Sequence, residues 1–101
     1  MMVNAIVVEV DIEVQSIVPE FLDNRRKDCL LISSLLNGEL FKEINTLGHR
    51  MKGAGGSYGF DDISEVGEAI AEAALIRDKE TISNSIERLS NYLDRVVVKY
   101  V

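Results

Sequence analysis

A chain of 101 residues with a net charge of −6, 47% apolar and 28% charged residues, fits one globular domain built on a single hydrophobic core. The acidic balance argues against binding nucleic acid through its phosphates, and no run approaches the ~20 apolar residues of a membrane span. One cysteine, Cys29, cannot form an internal disulfide, and the first residues lack the basic flank and cleavage site of a secretory leader, so a cytoplasmic protein is expected.

Within residues 1–14, Val8, Val10, Ile12 and Val14 alternate with acids, a strand-like pattern. No second strand signal follows, and one strand alone is unstable. Residues 1–11 are therefore expected to form an extended arm or the remnant of a linker, with a short extra helix over residues 11–17 as the other reading. The first long helix is predicted to open at Pro19, whose missing N–H suits a first turn, and to stop at Asn37-Gly38. Its inner stripe runs through Val18, Leu22, Cys29, Ile32 and Leu36, broadened by Phe21, Leu31 and Leu35, which makes Cys29 a core residue rather than a reactive thiol. The second helix is predicted from Glu39 to Ser57, with Leu40, Ile44, Leu47, Met51 and Ala54 inside. The third opens at Asp61-Asp62, with Asp62 as N-cap and Glu65 at capping-box spacing. The fourth opens near Asp78 and carries Ile82, Ile86, Leu89, Leu93, Val96 and Tyr100 in a single stripe. The links are short, and short links force successive helices antiparallel. Residues 12–101 are thus expected to form an all-α, up-down-up-down four-helix bundle.

The concentration of unusual residues lies between Gly48 and Gly59. His49 is the only histidine, and the helical period places it opposite the apolar stripe, so packing does not account for it. Asn45, Lys52, Gly53 and Gly56 share its side. Each glycine inside a helix costs about 1 kcal/mol relative to alanine. Gly48, Gly53, Gly55 and Gly56 together cost about 3–4 kcal/mol of a domain stability of roughly 5–15 kcal/mol, so something should offset them. Gly53, one turn beyond His49, clears the surface where a bulky group would approach, whereas Gly55 and Gly59 also suit close helix packing or the turn before Phe60.

No positioned serine or cysteine accompanies the histidine to make a catalytic triad. One histidine and one buried cysteine supply too few ligands for a metal site, and no Walker-type phosphate loop is present. An exposed imidazole beside a lysine is suited to accept a phosphoryl group, the ammonium balancing the added charge.

His49-Arg50-Met51-Lys52-Gly53, with Gly59 and Ile63 following, resembles the histidine phosphotransfer (HPt) domain pattern H-x-x-K-G-x5-G-x3-L. Met51 and Ile63 stand where the family often has leucine, and Gly48 where it often has alanine. The resemblance implies a phosphorelay intermediate in which His49, at Nε2, accepts a phosphoryl group from a receiver-domain aspartate and passes it to another receiver. Lys52 would neutralise the group and Gly53 would permit docking. The partner would be the receiver of a response regulator or hybrid histidine kinase, with no nucleic acid or membrane involved. No cofactor is expected in this chain, because the Mg²⁺ belongs to the receiver's acidic pocket. The resemblance further implies Asn45, Gly56 and part of the first helix, Arg25 or Arg26, as interface candidates; plain solvated charge is the other reading of the arginines. A phosphoryl carrier without an ATP-binding site is the expectation. The alternative is a helical adaptor or dimerisation module whose histidine has no chemistry. The helix pair of a histidine kinase fits less well, since Arg50 stands where an acidic residue would follow the histidine.

Overall fold

Four helices joined by short links dominate the computed structural model, which describes residues 4–101: α1 (Val18–Asn37), α2 (Phe41–Ser57), α3 (Asp61–Leu75) and α4 (Lys79–Arg95). Pro19 lies in the first turn of α1, and Gly38 ends it. Phe21, Ile32, Ile44, Met51, Phe60, Ile63, Ile70, Ile82 and Leu89 fill the common core. Most of these positions, Phe21 among them, follow from the helical period, but Phe41 is buried where Leu40 was expected inside, and Leu40 is 46% exposed.

The closest helix pair is α2 with α3, and glycine is the reason. A Cβ on Gly48 would stand 2.7 Å from the Ala71 amide nitrogen, and one on Gly67 2.5 Å from that of Lys52. A Cβ on Gly55 would stand 2.7 Å from the Ser64 nitrogen. Only hydrogen fits at these three positions, so the two backbones meet directly. The dispersion gained by that contact offsets the glycines' helix cost. Gly59, with φ +83°, then turns the chain from α2 into α3 in a conformation that only glycine adopts without strain.

Two expectations are corrected. The fourth helix stops at Arg95, and Val96–Tyr100 form a strand, β2, instead of its last turn. The protein is therefore mostly helical rather than all-α, because β2 pairs in parallel with β1 (Ile6–Val10), Ile6 facing Val96 and Val10 facing Tyr100. Positions 96 and 100 satisfy a four-residue helical step and a two-residue strand step equally, and the β-branched run Val96-Val97-Val98 favours the strand. The expected arm is extended over residues 6–10 but paired, and Val10 enters the core at 2% exposure; its residues 1–3 lie outside the described residues. The extra helix over 11–17 reduces to a single 3₁₀ turn at Ile12–Val14.

The second correction concerns α3, which opens at Asp61 with Phe60 at its N-cap and no side-chain cap. Phe60 is fully buried, stacked on Phe21 with ring centroids 5.3 Å apart, and this anchor sets the start of the helix. Glu65, expected in a capping box, instead meets Arg88 of α4 at 3.0 Å. Asp78 does cap α4, accepting from the Thr81 N–H at 3.1 Å and the Thr81 hydroxyl at 2.6 Å. Among the described residues no helix is long and apolar enough to cross a membrane.

Candidate functional site

Gly48 is buried against α3, and this fixes the rotation of α2 about its own axis. The next residue along, His49, consequently stands on the exposed side. Lys52 follows one turn later, half-exposed, with its Nζ 3.4 Å from Oε1 of Glu68 on α3. The Ser64 hydroxyl, also from α3, donates to the Lys52 carbonyl at 2.9 Å. The lysine backbone is thereby held while its side chain projects past the helix seam.

The two exposed glycines beside this pair differ from the buried ones. A Cβ on Gly53 would meet nothing within 4 Å, and one on Gly56 would only reach the Ser64 hydroxyl at 3.9 Å. Among the described residues no packing requirement accounts for glycine at 53. Asn45 lies on the same side of α2, and its Nδ2 donates to the Ala71 carbonyl at 2.8 Å, so its amide ties α2 to α3.

The arginines of α1 have partners of their own. Arg25 is half-buried, pairs with Asp28 at 2.9 Å and lies 4.8 Å over the Phe21 ring. Burial raises the Asp28 carboxyl above its usual range, and the Arg25 charge opposes that shift. Arg26 reaches to α4, with Nη1 2.9 Å from Asp94 Oδ1 and Nη2 donating to the Leu93 carbonyl at 2.7 Å. Of the residues singled out by sequence, the structure places His49, Lys52, Gly53, Gly56 and Asn45 together along α2, and gives Arg25 and Arg26 partners within the chain.

Cys29 is buried on α1, and burial, followed by the neighbouring Asp28, pushes its thiol pKa up. Cys29 belongs to the core cluster, where the helical period placed it. Among the described residues no group of three or more His, Cys, Asp or Glu side chains could hold a metal ion.

Two features had no sequence signal that the helical period alone could supply. Ser64 and Glu68 come to Lys52 from another helix, and only the packing of α2 on α3 brings them there. The other is an apolar groove of about 320 Å³ between α1 and α2, lined by Leu31, Leu35 and Leu47 and rimmed by Glu43, Thr46 and Arg50. It borders the histidine helix. Leu31, expected to broaden the inner stripe of α1, is 47% exposed and faces this groove instead.

Against known families, the model described as the Hpt domain matches residues 16–98. Comparison with curated proteins and with solved structures returned no match.

Proposed function

Because this chain belongs to the Hpt domain family, we propose that it is a histidine phosphotransfer protein of a two-component phosphorelay, with His49 as its phosphoryl acceptor. The observation that carries this reading is the setting of His49: exposed on α2, one turn from Lys52, and one turn from Gly53, around which nothing among the described residues packs. Such a surface lets a second protein bring a reactive group up to the imidazole.

In the forward step the Nε2 lone pair attacks phosphorus of a receiver's aspartyl phosphate. The N–P bond forms as the acyl P–O bond breaks, its electron pair leaves on the aspartate carboxylate, and the imidazole proton stays on Nδ1. In the onward step a carboxylate oxygen of another receiver attacks phosphorus and the N–P electron pair returns to Nε2. Lys52 balances the charge on the transferred group. The Mg²⁺ is carried by the receiver, so the chain is a phosphoryl carrier with no ATP-binding site or cofactor of its own, working in the cytoplasm. The leucine groove beside α2 and the open surface at Gly53 and Gly56 take the receiver's face, with the rim charges Glu43 and Arg50 at its edge. The carrier unit is the helical body within residues 12–101, on which β1 (Ile6–Val10) packs through its pairing with β2. Its helices form an antiparallel up-down-up-down bundle; Asn45 with Ala71 and Lys52 with Glu68 support that order for α2 and α3, since the partner number falls as the residue number rises, and the short links support it for the rest.

Incubation with a phosphorylated receiver and Mg²⁺ tests the reading. Wild-type protein is expected to take an acid-labile, base-stable label, and His49→Gln none. An unlabelled wild type, or equal labelling of the variant, refutes it in favour of a helical adaptor.

A further inference from the structure

Lys52 is not a free cation waiting for a phosphoryl group. Its Nζ is already 3.4 Å from the Glu68 carboxylate, and both side chains are about half-exposed, at 48% and 50%. The lysine is also held at its backbone, where the Ser64 hydroxyl donates to its carbonyl at 2.9 Å. Glu68 and Ser64 lie one turn apart on α3, so one helix holds Lys52 by both ends. The contact is rigidly founded, because Gly67, next to Glu68, leaves no room between α3 and the Lys52 amide: a Cβ there would stand 2.5 Å from that nitrogen.

We propose that Glu68 is a positioning residue for Lys52, which it holds beside His49 before transfer and for which it competes with the phosphoryl group afterwards. This rests on His49 as the acceptor. A phosphoryl group on His49 brings close to two negative charges to the neighbourhood of one ammonium. Glu68 already offsets part of that ammonium's charge through the 3.4 Å ion pair, and the ammonium is a point charge on a flexible stem that either anion can draw. The carboxylate therefore limits how completely Lys52 can neutralise the phosphoryl oxygens. The phosphohistidine is left less stabilised than a lone lysine would make it, and the group stays ready to leave. Exposure keeps the effect moderate, since water screens a half-exposed pair.

The test needs no partner protein. Phosphoramidate is the probe: Nε2 of His49 attacks its phosphorus, the N–P bond forms, and the donor's own P–N bond breaks with its electron pair leaving on ammonia. The half-life of the phosphohistidine at neutral pH is then followed by ³¹P NMR in four proteins: wild type, Glu68→Gln, Lys52→Met and the double variant. Glu68→Gln keeps the side-chain shape and removes the charge, and is expected to lengthen the half-life by about twofold to fivefold. Lys52→Met is expected to shorten it, and Glu68→Gln is expected to add nothing in the Lys52→Met background, because its action runs through the lysine. A half-life unchanged in Glu68→Gln overturns the inference while leaving His49 as the acceptor. The same lengthening in the Lys52→Met background also overturns it, since Glu68 would then act on the phosphoryl group directly. Failure of wild-type His49 to take any phosphoryl group would overturn both this inference and the acceptor role beneath it.

Discussion

The glycines of α2 divide into two kinds once their surroundings are known. Gly48 and Gly55 would drive a Cβ into the backbone of α3, at 2.7 Å from Ala71 and Ser64 nitrogens respectively. Backbone cannot move aside as a flexible side chain can, so Gly48→Ala is expected to cost about 1–3 kcal/mol by overpacking. Gly53 has open space around it, and Gly53→Ala is expected to stabilise the helix by up to about 1 kcal/mol. Chemical denaturation of the two variants decides this, and equal effects of the same sign would contradict the division. Gly53→Glu should likewise keep the fold, but slow transfer from a receiver by about tenfold or more, because it sets bulk and negative charge on the docking surface. Unchanged transfer kinetics in a folded Gly53→Glu protein would remove Gly53 from that surface. Asn45 illustrates the reverse case: its place on the histidine's side of α2 was legible from the period, but its bond to Ala71 was not.

At the scale of elements, α3 and α4 begin in different ways although both open beside aspartates. Asp78 accepts from Thr81 at two points, and those hydrogen bonds hold its carboxyl below the usual range. Asp62 caps nothing, because the buried Phe60 occupies the N-cap of α3. Asp78→Ala should therefore lower the melting temperature more than Asp62→Ala. The sign with pH follows from the lowered carboxyl. The contribution of Asp78 is fully present above the ordinary carboxylate pKa and is lost as pH falls through the depressed one. In Asp78→Ala that acidic loss should shrink relative to wild type, as thermal melts across pH 5 to 2 would register, roughly the span in which such groups titrate. An identical acid limb in both proteins would mean that the cap contributes nothing. A capping box at Asp62 and Glu65 looked equally good in the sequence, and the anchoring of Phe60 on Phe21 selected the other start.

For the molecule as a whole, the two ends of the chain close on each other through the parallel pair β1 and β2. Val10 is buried, Ile6 and Val8 pack on the core, and Val96, Val98 and Tyr100 meet them from the other strand. A two-stranded sheet is not stable in isolation, so its stability is borrowed from the helices beneath it. Removal of residues 1–10 takes away the whole of β1 and its apolar contacts. It is expected to lower the melting temperature by about 10 °C or more, from the burial lost and the small size of the domain. A melting temperature unchanged by the truncation would make the strand pair an ornament on an independent helical body.

Four helices, the outward phase of His49 and the place of Lys52 one turn away can all be read from the chain alone, because each depends on a local period of 3.6 residues and on stop signals such as Asn37-Gly38. The family resemblance rests on the same short spacing. The β2 strand could not be read that way, since residues 96 and 100 fit two periods and the choice went to whichever allowed pairing with residues 6–10, ninety positions away in the chain. Glu68 was equally silent: a carboxylate on one amphipathic helix carries no local mark of the lysine it will meet on another. Contact between distant residues depends on how closely two helices approach, and here that approach was set by the missing side chains of Gly48, Gly55 and Gly67.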